Sequence, residues 1–151
     1  MSTATQTTKE RRGRSRKLID KMVAERTEML VMFCRLAGVE PYTPGKPVQK
    51  LLQEFCQILV DYIAAGHFAL YERIVEGTER RRDVADLAAR LYTRIADSTD
   101  VALDFNDKYD CEDHCTALDS LSSDMSRLGE ELAARIELED HLIQGLLRRE
   151  Q

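Results

Sequence analysis

The sequence predicts an all-α fold, an antiparallel up-and-down bundle of four long helices with one short extra helix. Three observations carry that expectation. Apolar residues recur at steps of three and four along most of the chain, and no stretch keeps a strand-like alternation. All three prolines fall in one segment, "VEPYTPGKP" (39–47), so the remainder is free of the strongest helix breaker. At 151 residues, 43% hydrophobic and 32% charged, the chain fits one domain with a real core.

The elements follow in order. Residues 1–15, "MSTATQTTKERRGRS", are polar and then basic and read as a mobile arm, leaving 16–149 as a single bundle domain. From Ser15, Leu18, Ile19, Met22, Val23, Arg26, Met29, Leu30, Phe33 and Leu36 form the stripe of the first helix, with Gly38 as its stop. The proline segment is a loop. A second helix starts near Pro47 and turns Leu51, Leu52, Phe55, Ile58, Leu59, Tyr62 and Ile63 inward. Gly66 ends or kinks it, and a short helix over about 67–76 follows, closed by Gly77. "ERRRD" (79–83) opens a third long helix with Val84, Leu87, Ala88, Leu91, Ile95, Ala102 and Tyr109 inward. "YDCEDHC" (109–115) reads as a corner. The last helix buries Leu118, Leu121, Met125, Leu128, Leu132, Ile136, Leu142, Ile143 and Leu146.

The net charge of −5 conceals a polarity. Residues 1–26 hold eight Lys/Arg against three Asp/Glu, whereas 97–140 hold fourteen acids against three bases. So acidic a region disfavours direct contact with nucleic acid and suits a basic partner, or else serves only as a solvated face. No apolar run approaches the length of a membrane span and no signal-peptide core is present, which points to the cytoplasm. Cys34 and Cys56 sit in apolar helical patterns as small hydrophobes, and free thiols are expected rather than disulfides.

Chemistry is then tested motif by motif. A di-iron bundle needs two Glu-x-x-His pairs, but Ala64, Cys111 and Leu138 stand three residues before His67, His114 and His141. "CEDHC" (111–115) offers Cys111, His114 and Cys115 within one turn, without the second knuckle a zinc site needs. No glycine-flanked serine elbow or phosphate-cradling loop is present. The reading is a non-enzyme without metal or cofactor.

Polar residues on apolar stripes remain. Glu139 falls between Ile136 and Ile143, and Arg26 between Met22 and Met29. A stranded buried charge costs several kcal/mol, so the expectation is a core network in which Glu139 accepts from Arg26. His67, beside Gly66, joins it as a corner residue bonding the carbonyls freed at the helix end. A ligand-binding role for Arg26 and Glu139 is the alternative.

"LVDYIAAGHFALYERI" (59–74) resembles the signature of the Rsd/AlgQ family, the regulators of sigma D, which are bacterial anti-sigma factors. "LID" with Arg26 in the first helix, "FCQILVDY" (55–62) and "LAARIELEDHLI" (132–143) are similar to three further stretches of that family. The resemblance implies a helical bundle that binds the C-terminal, promoter-reading region of the housekeeping sigma factor, with no cofactor. It implies Asp61 as the polar contact to sigma. An interface of that kind also needs anchors, and Phe68, Tyr71, Glu72 and Arg73 at the Gly66 corner are of the right types, although Phe68 and Tyr71 also suit a core. Departures are Met22 where the family shows tryptophan, the "CEDHC" corner and the basic arm. They leave room for an alternative sigma factor as a further partner. The competing readings are a small-molecule- or metal-sensing bundle and an interaction hub with several partners.

Overall fold

The computed structural model describes residues 3–42, 46–71, 82–109 and 118–148. These residues hold four long helices and no strand: α1 (Thr3–Ala37), α2 (Lys46–Gly66), α3 (Arg82–Tyr109) and α4 (Leu121–Arg148). A single π-helical turn, His67–Tyr71, continues α2, and a 3₁₀ turn, Leu118–Ser120, leads into α4. Only the first five residues of the short helix expected over 67–76 are therefore described, and they belong to a widened last turn of α2. The "CEDHC" corner lies outside the described residues.

α1 begins at Thr3, well before the expected start at Ser15. Periodicity missed this stretch because it carries no apolar stripe, the helix continuing N-terminally from the amphipathic part without one. At its other end Gly38 N–H donates to Cys34 C=O at 2.9 Å, and Val39 and Glu40 N–H close onto Leu36 and Ala37 at 3.3 Å.

Side chains of all four helices make the core. Phe33 of α1 meets Phe55 of α2 edge to face at 5.9 Å, and Phe55 meets Phe105 of α3 at 5.7 Å. Phe105 then stacks at a tilt on Tyr109, with 4.7 Å between ring centres. α4 reaches this aromatic ladder at Gly129, where an added Cβ would stand 3.0 Å from Phe33 Cζ and would press on that ring. Met22 is fully buried in the core.

Two expected inward residues face out. Leu30 is 40% exposed and Met32 is buried instead, because over so long a helix only a narrow stripe stays against α2 and α4. Cys34 is exposed, two positions from that stripe, whereas Cys56 is buried in the core. Across α3 and α4, Arg94 pairs with Glu131, and Lys108 reaches Asp124 at 2.7 Å and Ser120 at 2.9 Å. Among the described residues no helix is long and apolar enough to cross a membrane.

Candidate functional site

Where α2 passes into the π-turn, the core turns polar. Glu139 of α4 has no exposed surface, and both carboxylate oxygens are occupied by the chain's own groups. Tyr62 O–H donates to Oε1, while Tyr71 O–H and Arg135 Nε each donate to Oε2 at 3.2 Å. Arg26 Nη1 of α1 stands 3.7 Å from Oε1 and donates to Asp140 Oδ1 at 3.0 Å. Arg135 is itself buried. Its Nη1 donates to Thr99 Oγ1 at 2.6 Å and Ser98 Oγ at 3.2 Å, on α3. Its guanidinium also lies 5.7 Å and 5.4 Å from the ring centres of Tyr62 and Tyr71. Side chains from all four helices and the π-turn thus meet at one clasp, in which Arg135 and Glu139 are buried and the Arg26–Asp140 pair lies at the half-exposed rim.

Glu139 and Arg26 are close, as expected, but the hydrogen bonds run elsewhere: Glu139 accepts from Tyr62, Tyr71 and Arg135, and Arg26 donates to Asp140. Arg26, on the neighbouring α1, reaches only the rim of the clasp, where Asp140 takes its hydrogen bond. Arg135 was missed by sequence reasoning. It sits one helical turn before Glu139, and that i, i+4 acid–base pair on a buried stripe was the available signal.

Gly66 packs directly on the clasp. A Cβ there would lie 3.3 Å from both Arg135 Nη2 and Glu139 Oε2. The glycine is needed for this close approach, since the chain runs on helically past it. Alanine would gain helix propensity yet push on two atoms held by the clasp, so G66A is expected to destabilise by about 1–2 kcal/mol. A chemical denaturation curve unchanged from wild type would refute that.

Burial, then the nearby Glu139 charge, raises the Tyr62 and Tyr71 phenols well above their ordinary range. The folded state therefore holds these protons more tightly than the unfolded chain, whose tyrosines titrate near 10. The stabilisation is fully present below about pH 10 and falls as pH rises through the alkaline range, by about 1.4 kcal/mol per pH unit for each tyrosine. Y62F and Y71F should each flatten that alkaline slope in pH-dependent denaturation. A slope unaltered in both variants would contradict the assignment. Arg135 is opposed by burial, but Tyr71 and Glu139 outweigh this and raise its pKa further.

Against the clasp lies a groove of about 610 Å³ between α2 and α3, lined by Val60, Ile63 and Ala64 on one side and Tyr92 and Ala96 on the other. Arg135 and Thr99 also line it, and Phe68 on the π-turn edges it with 54% of its surface exposed. The sequence-predicted contact residues separate here. Phe68 faces out, and Asp61 is exposed on α2, accepting from Gln57 Nε2 at 3.1 Å. Tyr71 is buried, because its hydroxyl is drawn to Glu139, so it serves the core and not the surface. His67 is exposed, with its ring edge-on to Phe68 at 5.3 Å, and is not a donor to Glu139. It is not needed as a cap, since the π-turn continues the backbone hydrogen bonding of α2. Glu72 and Arg73 lie outside the described residues.

Residues 1–147 match the family described as "Regulator of RNA polymerase sigma(70) subunit, Rsd/AlgQ". The chain belongs to the Rsd/AlgQ family. It is 36% identical over 144 residues to a protein named Regulator of sigma D from Yersinia enterocolitica, covering 89% of this chain and 83% of that one. Proteins of the same name from Yersinia pestis and Salmonella arizonae are 37% and 38% identical, covering 89% of this chain and 82% and 84% of theirs. No solved structure gave a match. In this Rsd/AlgQ chain the two stretches 59–74 and 132–143 meet through Tyr62, Gly66 and Tyr71 of the first and Arg135 and Glu139 of the second.

Proposed function

We propose that this chain is a stoichiometric anti-sigma factor of the cytoplasm. It binds the C-terminal, promoter-reading region of the housekeeping sigma factor and keeps it from core polymerase and from promoter DNA. The mechanism is masking, with no chemical step and no cofactor. Family membership supports regulation of sigma; the observation that carries the finer reading is the exposed Phe68 held at the edge of an apolar groove, about two turns beyond the exposed Asp61. An aromatic anchor beside a desolvatable groove provides affinity, and acids around it speed the approach of a basic, DNA-reading surface. Glu72 and Arg73 belong to the proposed contact set. An alternative sigma factor presenting the same chemistry would be bound as well.

The domain reading goes with this proposal: residues 1–15 form an arm and 16–149 the binding bundle. So does the up-and-down course of the helices, supported by Ser98 and Lys108 along α3 facing Arg135 and Asp124 along α4 in reverse order. Titration of the sigma C-terminal domain into the full chain tests the function. D61A should weaken binding about tenfold, with the larger part in the association rate at low salt. Absence of binding by the wild type would end the proposal, and unchanged binding by D61A would take Asp61 out of the interface.

A further inference from the structure

Two charged faces of the molecule are built to the same spacing. On α1, Arg14, Lys17 and Lys21 are exposed at steps of three and four, which sets them on one face, turned away from Ile19 and Met22 in the core. On α3, Asp97, Asp100 and Asp104 are exposed at the same steps, and Asp107 extends the row. Among the described residues none of these seven side chains has an ion-pair partner within the chain. The exposed Tyr92 and Leu103 add apolar surface beside the acidic row. The basic row does not reach the acidic one within a chain, because α1 and α3 make no contact among the described residues. At Gly13 the helix stands clear of the body, with no atom within 4 Å of where a Cβ would be.

We infer that the chain associates with a second copy of itself, the basic face of α1 in each copy docking along the acidic row of α3 in the other. A two-fold arrangement makes both contacts at once, since each copy carries both faces. Matched steps on two helices set opposite charges side by side, as in helix pairs that choose partners by surface charge. Exposed pairs bind weakly, so the association is reversible, populated at high protein concentration and suppressed by salt. A duplex nucleic acid is the competing occupant of the basic face, but it leaves the matched acidic row unexplained.

Sedimentation equilibrium of the full chain at about 0.5 mM protein should show dimer in about 50 mM salt and monomer in about 500 mM salt. Two variants decide the matter. The first carries R14E, K17E and K21E, and the second D97K, D100K and D104K. Each alone should be monomeric in low salt while keeping wild-type helicity by circular dichroism. Mixed in equal amounts they should dimerise again, because one contact then pairs the two unaltered faces and the other pairs the two reversed ones. A wild type that stays monomeric in low salt would overturn the inference. So would dimers indifferent to the reversals, or a mixture that fails to reassociate. Tight salt-sensitive binding of a DNA duplex by the monomeric wild type would assign the basic face to nucleic acid instead.

Discussion

E139A is expected to lower the stability of the fold by about 3–5 kcal/mol, the range found when one partner of a buried ion pair is removed. The cost has a definite origin. Without the carboxylate, Arg135 remains buried as a cation whose Nε has lost its acceptor, and the Tyr62 and Tyr71 hydroxyls are left as buried donors. Arg26 keeps Asp140 and loses only its longer contact. The companion R135A should be comparably damaging, since it strands Glu139 and frees Ser98 and Thr99 on α3. Because the two residues share one network, their effects should not add. A double replacement by R135M and E139L should cost less than the two single losses combined, as apolar side chains of similar volume fill the space without stranding a charge. Urea denaturation of the four proteins measures this. Additive single effects, or an E139A as stable as wild type, would mean that the clasp contributes little.

F68A is expected to weaken binding of the sigma C-terminal domain by about thirtyfold, equivalent to about 2 kcal/mol. Its thermal unfolding should stay close to that of wild type, since over half of the ring is already in water. The separation of the two effects is the point. A buried aromatic such as Phe55 would lose both stability and binding when truncated, whereas a residue that acts only as an anchor loses binding alone. Y71F makes the converse case: Tyr71 is buried, so its effect should appear in stability first. Calorimetric titration of each variant, alongside its unfolding curve, distinguishes these outcomes. Binding by F68A within twofold of wild type would remove the anchor from the account.

Helix-period apolar residues made most of the bundle legible, and Glu139 stood out because a carboxylate fell where that period demands a hydrophobe. Its partners were harder to read. Tyr62 looked like any stripe residue, and its hydroxyl contact depends on how α2 meets α4. Arg135 hid beside Ile136, where a charged residue next to the stripe normally reaches solvent. Gly66 was legible as the end or kink of the second helix, and α2 does end there and pass into the π-turn, but its packing against Arg135 and Glu139 was not. The π-turn has no sequence signature of its own, so the separation of Phe68 from Tyr71, one outward and one inward, could not be anticipated. Residues 3–14 escaped because they carry no apolar stripe for the period to reveal.

The docking claim is tested most directly by hydrogen–deuterium exchange of the full chain with and without the sigma C-terminal domain. Complex formation should slow exchange along the second half of α2, through the π-turn at 67–71, and on α3 around Tyr92 and Ala96. Slowing confined to other surfaces, with the amides of residues 60–71 and 92–100 exchanging as they do in the free protein, would contradict it.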